Sequence, residues 1–389
     1  MILTILVFLL ILSVLVLIHE LGHFLVAKKL GIKVEEFGFG LPPRLFGIKK
    51  GETIYSLNLL PIGGFVKLYG EDNAGGGKLS LPVSSSKYKV SSIKKDEIHN
   101  TKYIIHNTDL ERAFFERPVW QRSLVVVAGV AMNFLLSIAI ISYLFGVSGV
   151  RIPGNKVIVT DVVKGAPAEQ AGIRKDDVIE AVNGIKITST QQLISITKEH
   201  LGEKVALKIR NSKSEIRNIK LIPRKSYPKN EGPMGVAISQ NIITQKYPWY
   251  EAPIIGTKES LKASWLIIAS LGKTVYDLVF HAEVPKGVAG PVGIAQLTGQ
   301  FVEIGPLAVL SFMSILSLNL AILNILPIPA LDGGRLFFIL IEGVIGRKIS
   351  QKFESKAHAI GMAILLSLIA IITIHDIIRF FSGQPVVPK

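Results

Sequence analysis

The chain alternates long apolar runs with polar connections. From Ile2 to about Val26 almost every side chain is apolar, and comparable runs recur at about Ser123 to Val147, Leu307 to Leu326 and Ala357 to Ile374. Each approaches the roughly 20 residues that a helix needs to cross hydrocarbon. The pattern predicts four membrane spans within residues 1–30, 121–148, 307–334 and 357–380. The first is expected to be retained, because no basic stretch opens it and no small-residue cleavage site follows it. Residues 31–70 are rich in glycine and strand formers, with Tyr55, Leu57 and Leu59 alternating before Pro61, Gly63 and Gly64, the pattern of a small sheet or looped hairpin. Residues 71–120 are polar, lack a sustained period and read as a cytoplasmic insertion.

Between the second and third runs the period changes again. Strands are predicted over Val157 to Val163, over Val178 to Val182 with an Asn183-Gly184 turn, and over Lys204 to Arg210. Helices are predicted over Ala166 to Ala171 and Thr190 to His200. Together they make a compact α+β domain within residues 149–228. In the following linker, 229–306, the stretch Ile254 to Phe280 mixes apolar residues with Lys258, Glu259, Lys262, Lys273 and Asp277, and reads as an amphipathic helix on the outer membrane surface. Residues 335–356 are expected to be a cytoplasmic loop and 381–389 a tail.

Composition agrees with a membrane protein. Of 389 residues 49% are hydrophobic and 19% charged, too apolar for an ordinary soluble enzyme of this length. A formal charge of +15 raises the possibility of a nucleic-acid partner, but the cations gather beside the apolar runs. Lys28, Lys29 and Lys33 follow the first, Arg117 and Arg122 open the second, and Arg347, Lys348, Lys352 and Lys356 precede the fourth. That is the positive-inside pattern; it implies a lipid bilayer and no nucleic acid, and puts both termini and the inserted domain on the extracytoplasmic side. With no cysteine, thiolate catalysis and disulfides are excluded.

Chemistry enters at His19-Glu20-Leu21-Gly22-His23. On a helix two histidines four residues apart share a face and can share a metal, for which zinc is suited. Three ionisable groups inside an apolar run are costly, which favours a use over a reading as buried hydrogen-bonding partners. A catalytic zinc needs a third protein ligand. Glu35, Glu36 and Glu342 are possible, but the better candidate is Asp332, where Pro327 and Pro329 break the third run next to the polar Asn324.

These motifs, together with Gly129 to Asn133 and a single inserted domain, resemble the site-2 proteases, in particular the RseP-like bacterial branch of these intramembrane zinc metalloproteases. The resemblance covers nearly the whole chain apart from the cytoplasmic insertion. It implies a polytopic α-helical membrane protein with a membrane-associated β-loop, residing in the bacterial cytoplasmic membrane and cleaving single-span membrane proteins such as an anti-sigma factor or a signal-peptide remnant. It implies Zn2+ held by His19, His23 and Asp332, Glu20 as general base, Asn324 near the scissile peptide, and Gly63, Gly64, Phe65 and Val66 in the β-loop that holds substrate extended. The run Gly165 to Ile173 resembles a PDZ domain, a class that binds peptides or substrate ectodomains by strand addition. Val130 and Asp176 depart from the pattern, standing where relatives often carry proline and glycine. One rival is a non-catalytic membrane adaptor with a structural zinc site, for which no obvious fourth ligand exists. Another is a transporter, for which inverted repeats are missing.

Overall fold

The computed structural model describes residues 2–71, 111–228, 231–281 and 289–382. Most of the expected insertion, with His99 and His106, and nearly all of the tail lie outside the described residues. Two compact units emerge, one from Met1–Leu144 with Trp249–Lys389, the other from Phe145–Pro248.

In the first unit four helices are long and apolar enough to cross a membrane: α1 (Ile2–Lys29), α2 (Val119–Val147), α7 (Pro306–Ile325) and most of α9 (Gln351–Phe381). An apolar solvent leaves backbone groups no partner but each other, which is why these stretches coil. Helix α7 stops at Ile325, before Pro327 and Pro329, and Asp332 opens a new helix, α8 (Asp332–Ile345). The expected single span over 307–334 is thus two elements, and the expected loop over 335–356 is largely helical. Gly346, at φ +73°, ends α8 with its N–H on the Glu342 carbonyl. Of the cationic cluster there, Arg347 and Lys348 occupy the short link to α9, while Lys352 and Lys356 lie in its first turns.

The linker over 229–306 is also structured. Helix α5 (Ala252–His281) covers the stretch expected to be helical, and α6 (Pro291–Ile304) was not anticipated. Its start is fixed from α9: fully buried Asp376 accepts the N–H groups of Gly290 and Gly293 at 2.8 Å each and takes an ion pair from Arg379 at 2.9 Å.

Strands β1 (Val34–Lys50) and β2 (Thr53–Leu68) fold over themselves rather than forming a plain hairpin. Phe37 and Phe39 pair with Tyr55 and Leu57 on one side and with Val66 and Gly64 on the other, while Ile48 also pairs with Tyr55. The ribbon 64–67 is therefore an edge. Toward the far end Leu41, Leu45, Phe46, Ile48, Leu59 and Leu60 are exposed, an apolar surface of the kind a membrane covers. Glu52 at the turn is tied back by Lys28 and Arg112, each at 2.9 Å.

The second unit is an antiparallel sheet of order β7-β6-β4-β3-β8, with β5 (Ile185–Lys186) beside β4. These strands are β3 (Val150–Val162), β4 (Val178–Val182), β6 (Val205–Arg210), β7 (Ile216–Leu221) and β8 (Val236–Gln245). With α3 (Pro167–Gln170) and α4 (Thr190–Glu199), they enclose a core of Val157, Val159, Ile179, Leu193, Leu207 and Ile209. The expected end at 228 moves to Pro248, because β8 completes the sheet by pairing with β3 from Val162↔Val236 to Val150↔Gln245. Asp176 takes φ +70° and donates its N–H to Val159 at 2.8 Å, so the left-handed turn survives without glycine.

Arg122 of α2 and Glu342 of α8 pair at 2.6 Å with each side chain only 10% exposed. Removing one partner of such a pair strands a buried charge and typically costs about 3–5 kcal/mol, whereas replacing both is far milder. Glu342→Ala is expected to lower the unfolding temperature in detergent markedly, and Arg122→Leu/Glu342→Leu to recover most of the loss. Equal losses in both proteins would show that a stranded charge is not the cause.

Candidate metal centre

One turn of α1 separates His19 and His23, and both are buried, at 6% and 7% exposure. They face α2, which passes close because residue 129 is glycine. A Cβ there would lie 2.4 Å from Nε2 of His23 and 2.9 Å from Cε1 of His19. Gly22 is the reciprocal feature on α1, where a Cβ would meet the Ala128 carbonyl oxygen at 2.3 Å. The first residue of α8 supplies the third group: Asp332 Oδ2 lies 2.8 Å from His19 Nε2 and 3.3 Å from His23 Nε2, and the two Nε2 atoms are 3.2 Å apart.

The far side of each ring tells which nitrogen carries hydrogen. His23 Nδ1 is 2.8 Å from the Val125 carbonyl, which can only accept, so Nδ1 is the donor and Nε2 presents a lone pair. His19 Nδ1 faces the fully buried Asn133, whose Nδ2 stands 3.3 Å away while its Oδ1 has no partner. Exchanging the two ends of that amide gives Oδ1 the His19 Nδ1–H. His19 then presents a lone pair as well. With both rings neutral, two imidazole lone pairs and a carboxylate oxygen converge at 2.8–3.3 Å, a set that a proton on Nε2 or a metal ion can bridge. Zinc bonds of about 2.0–2.1 Å at tetrahedral angles space their ligand atoms about 3.3 Å apart, so the residues fit a zinc ion. Three candidate ligand groups meet among the described residues, one fewer than a tetrahedral zinc takes.

Other candidate residues fall into place unevenly. Glu20 accepts the Val66 N–H at 3.1 Å, bringing the β-loop edge to the motif. Gly63 approaches Val16 and Gly64 approaches Leu17 on α1, while Phe65 pairs with Gly38. Ser13 fixes the same stretch by donating to the Pro61 carbonyl at 2.8 Å. Asn324 is half-buried in the last turn of α7, and no hydrogen bond of its side chain ties it to the cluster. The rival carboxylates are engaged elsewhere: Glu35 with Lys67, Glu36 with Arg44, Glu342 with Arg122. Asn133 was legible only as part of a motif; its task became visible once Ser317 of α7, bonded to its carbonyl at 2.7 Å, and His19 were seen around it.

Comparison with known proteins gives a consistent picture. The sequence model for peptidase family M50 matches residues 7–368. Zinc metalloprotease RasP of Oceanobacillus iheyensis is 31% identical over 431 aligned residues, covering 97% of this chain and 99% of that protein. Regulator of sigma-W protease RasP of Bacillus subtilis is 30% identical over 426, with the same coverage of each. Zinc metalloprotease RasP of Geobacillus kaustophilus is 30% identical over 427, covering 96% and 97%.

Gly129→Ala would push a methyl group into His23. The zinc affinity of the purified protein is expected to fall by roughly 10–100-fold, the range for disturbing groups that orient a ligand, with helix content unchanged. Metal analysis and circular dichroism check this; full zinc occupancy under chelator competition would contradict it.

Proposed function

The chain belongs to peptidase family M50 and is a multi-pass zinc metallopeptidase, and from that premise we propose that His19, His23 and Asp332 hold its zinc while Glu20 moves the proton during cleavage of a membrane-embedded peptide bond. The observation that carries this reading is the meeting of three lone-pair donors, from two separate helices, beside a carboxylate on an apolar helix. Zinc, when bound, supplies a Lewis acid that polarises oxygen and makes water a competent nucleophile near neutral pH. Glu20 takes the proton from the attacking water and returns it to the leaving nitrogen. Asn324, eight residues before Asp332, is assigned to the scissile carbonyl, toward which its amide can donate.

The substrate is a single-span membrane protein. The Bacillus subtilis relative carries the name regulator of sigma-W protease, and an anti-sigma factor or a signal-peptide remnant is the corresponding substrate here. A spanning helix hides its carbonyls in its own hydrogen bonds, so it must unwind before attack. Gly63, Gly64, Phe65 and Val66 offer an edge, paired with β1 on one side only, along which the unwound segment can lie as a strand. The β unit is read as the PDZ-like domain. Its edge strand β8, against which α4 packs, is where an extended peptide or substrate ectodomain would add. The cationic clusters beside the spans support a bacterial cytoplasmic membrane orientation with both termini and this unit outside.

Co-reconstitution in liposomes with a labelled single-span substrate tests the mechanism. Glu20→Gln is expected to retain zinc and to lose roughly 10²–10⁴-fold in rate, the usual contribution of a positioned acid-base group. Equal rates for the two proteins would remove Glu20 from the role. Replacing helix-weakening residues of the substrate by leucine is expected to slow cleavage by the unmodified protein, and an unchanged rate would count against unwinding.

A further inference from the structure

Asp332 hangs on a short link between α7 and α8 that has little internal support. Pro327 and Pro329 contribute no N–H, and within the link Ile328 bonds to Leu326 at 2.7 Å and Leu331 to Ile328 at 3.1 Å. Ala330 sits at φ +84°, a left-handed conformation that residues bearing a Cβ rarely adopt. Its N–H goes to α9, where His358 Nδ1 accepts it at 2.9 Å. The same imidazole packs against Phe338 of α8, with ring centroids 5.7 Å apart. Nearly one turn further along α9, Gly361 lets the helix lie directly on the link: a Cβ there would stand 2.4 Å from the Pro329 carbonyl oxygen. From the other side Gly333 is pressed on the carbonyls of Leu326 and Ile325, where a Cβ would fall at 2.1 and 2.4 Å. The segment before the ligand is gripped between two helices, with a single side-chain hydrogen bond restraining its strained residue.

We propose that His358 is a positioning residue for the metal centre: by accepting the Ala330 N–H it holds the left-handed turn that aims Asp332 at His19 and His23, so that the fourth span sets metal affinity without supplying a ligand. The proposal rests on the zinc reading of those three residues. It requires an acceptor at the place of Nδ1, a property that separates it from simple filling of space.

The test uses the full-length protein in detergent, with zinc affinity measured by chelator competition and unfolding temperature measured in parallel. His358→Ala is expected to weaken zinc binding by roughly tenfold or more, within the range for residues behind the ligands. His358→Asn, whose Oδ1 takes the place of Nδ1, is expected to bind zinc like the unmodified protein, and His358→Gln, whose amide reaches the place of Nε2, is not. Adding Ala330→Gly to His358→Ala is expected to recover part of the affinity, because glycine adopts the turn without strain. Unchanged affinity in His358→Ala, or equal weakness of the Asn and Gln variants, overturns the proposal while leaving the zinc site standing. If His358→Ala fails to fold, the Asn and Gln pair decides by itself. Failure of the unmodified protein to bind zinc through His19 and His23 overturns the site reading and this proposal together.

Discussion

Two imidazole nitrogens and a carboxylate oxygen, each presenting a lone pair to the others at about 3 Å within an apolar surrounding, form the arrangement on which the helical unit depends. Such a cluster needs a proton or a metal ion between its members, and to serve a metal it must be held rigidly, because misaimed ligands lose affinity. Much of the surrounding packing serves that aim. Gly22 and Gly129 bring α1 and α2 to backbone contact, and the Val125 carbonyl and the Asn133 amide fix which ring nitrogen faces inward. Proline breaks and glycine contacts deliver Asp332 from a third direction. Close approach by small residues suits a membrane, where helices gain little from hiding apolar surface and more from van der Waals contact.

The β1–β2 sheet answers a different demand. On the proposed reading, a protease for spanning helices must receive a chain whose carbonyls are already bonded, and the open edge of the 64–67 ribbon offers replacement partners. The sheet is self-supporting, since Thr53 and Asn58, both buried, bond to the carbonyls of Val34 and Gly40. Its apolar side chains project outward at the far end, and the 64–67 ribbon runs along α1. Structure thereby joins residues that lie 46 to 48 positions apart in the sequence.

Much of this was legible in the chain because membranes impose coarse rules. Four apolar runs and their flanking cations read directly as spans, and the His19-to-His23 spacing is a property of one helix. Asp332 could be chosen over Glu35, Glu36 and Glu342 by the prolines before it, and the rivals do have other partners. Missing were features that depend on distant pairings. Strand β8 carries no signal that it closes a sheet begun at β3, so the domain boundary was drawn too early. The helix at Asp332 was masked by the lysine and arginine cluster that follows, and α6 by a glycine-rich approach whose amides are satisfied from Asp376. His358 carries no sequence signal of its acceptor role, which requires knowing where Ala330 lies.

The hydrogen bond from Val66 to Glu20 has a consequence for timing. The N–H involved points away from β1, and it is among the groups that a strand laid along ribbon 64–67 would seek. On the proposed reading, the resting base is parked on the rail that receives its substrate. Docking then competes for that bond, so seating a peptide and releasing the carboxylate become one interlocked event, and an idle enzyme keeps its proton acceptor occupied.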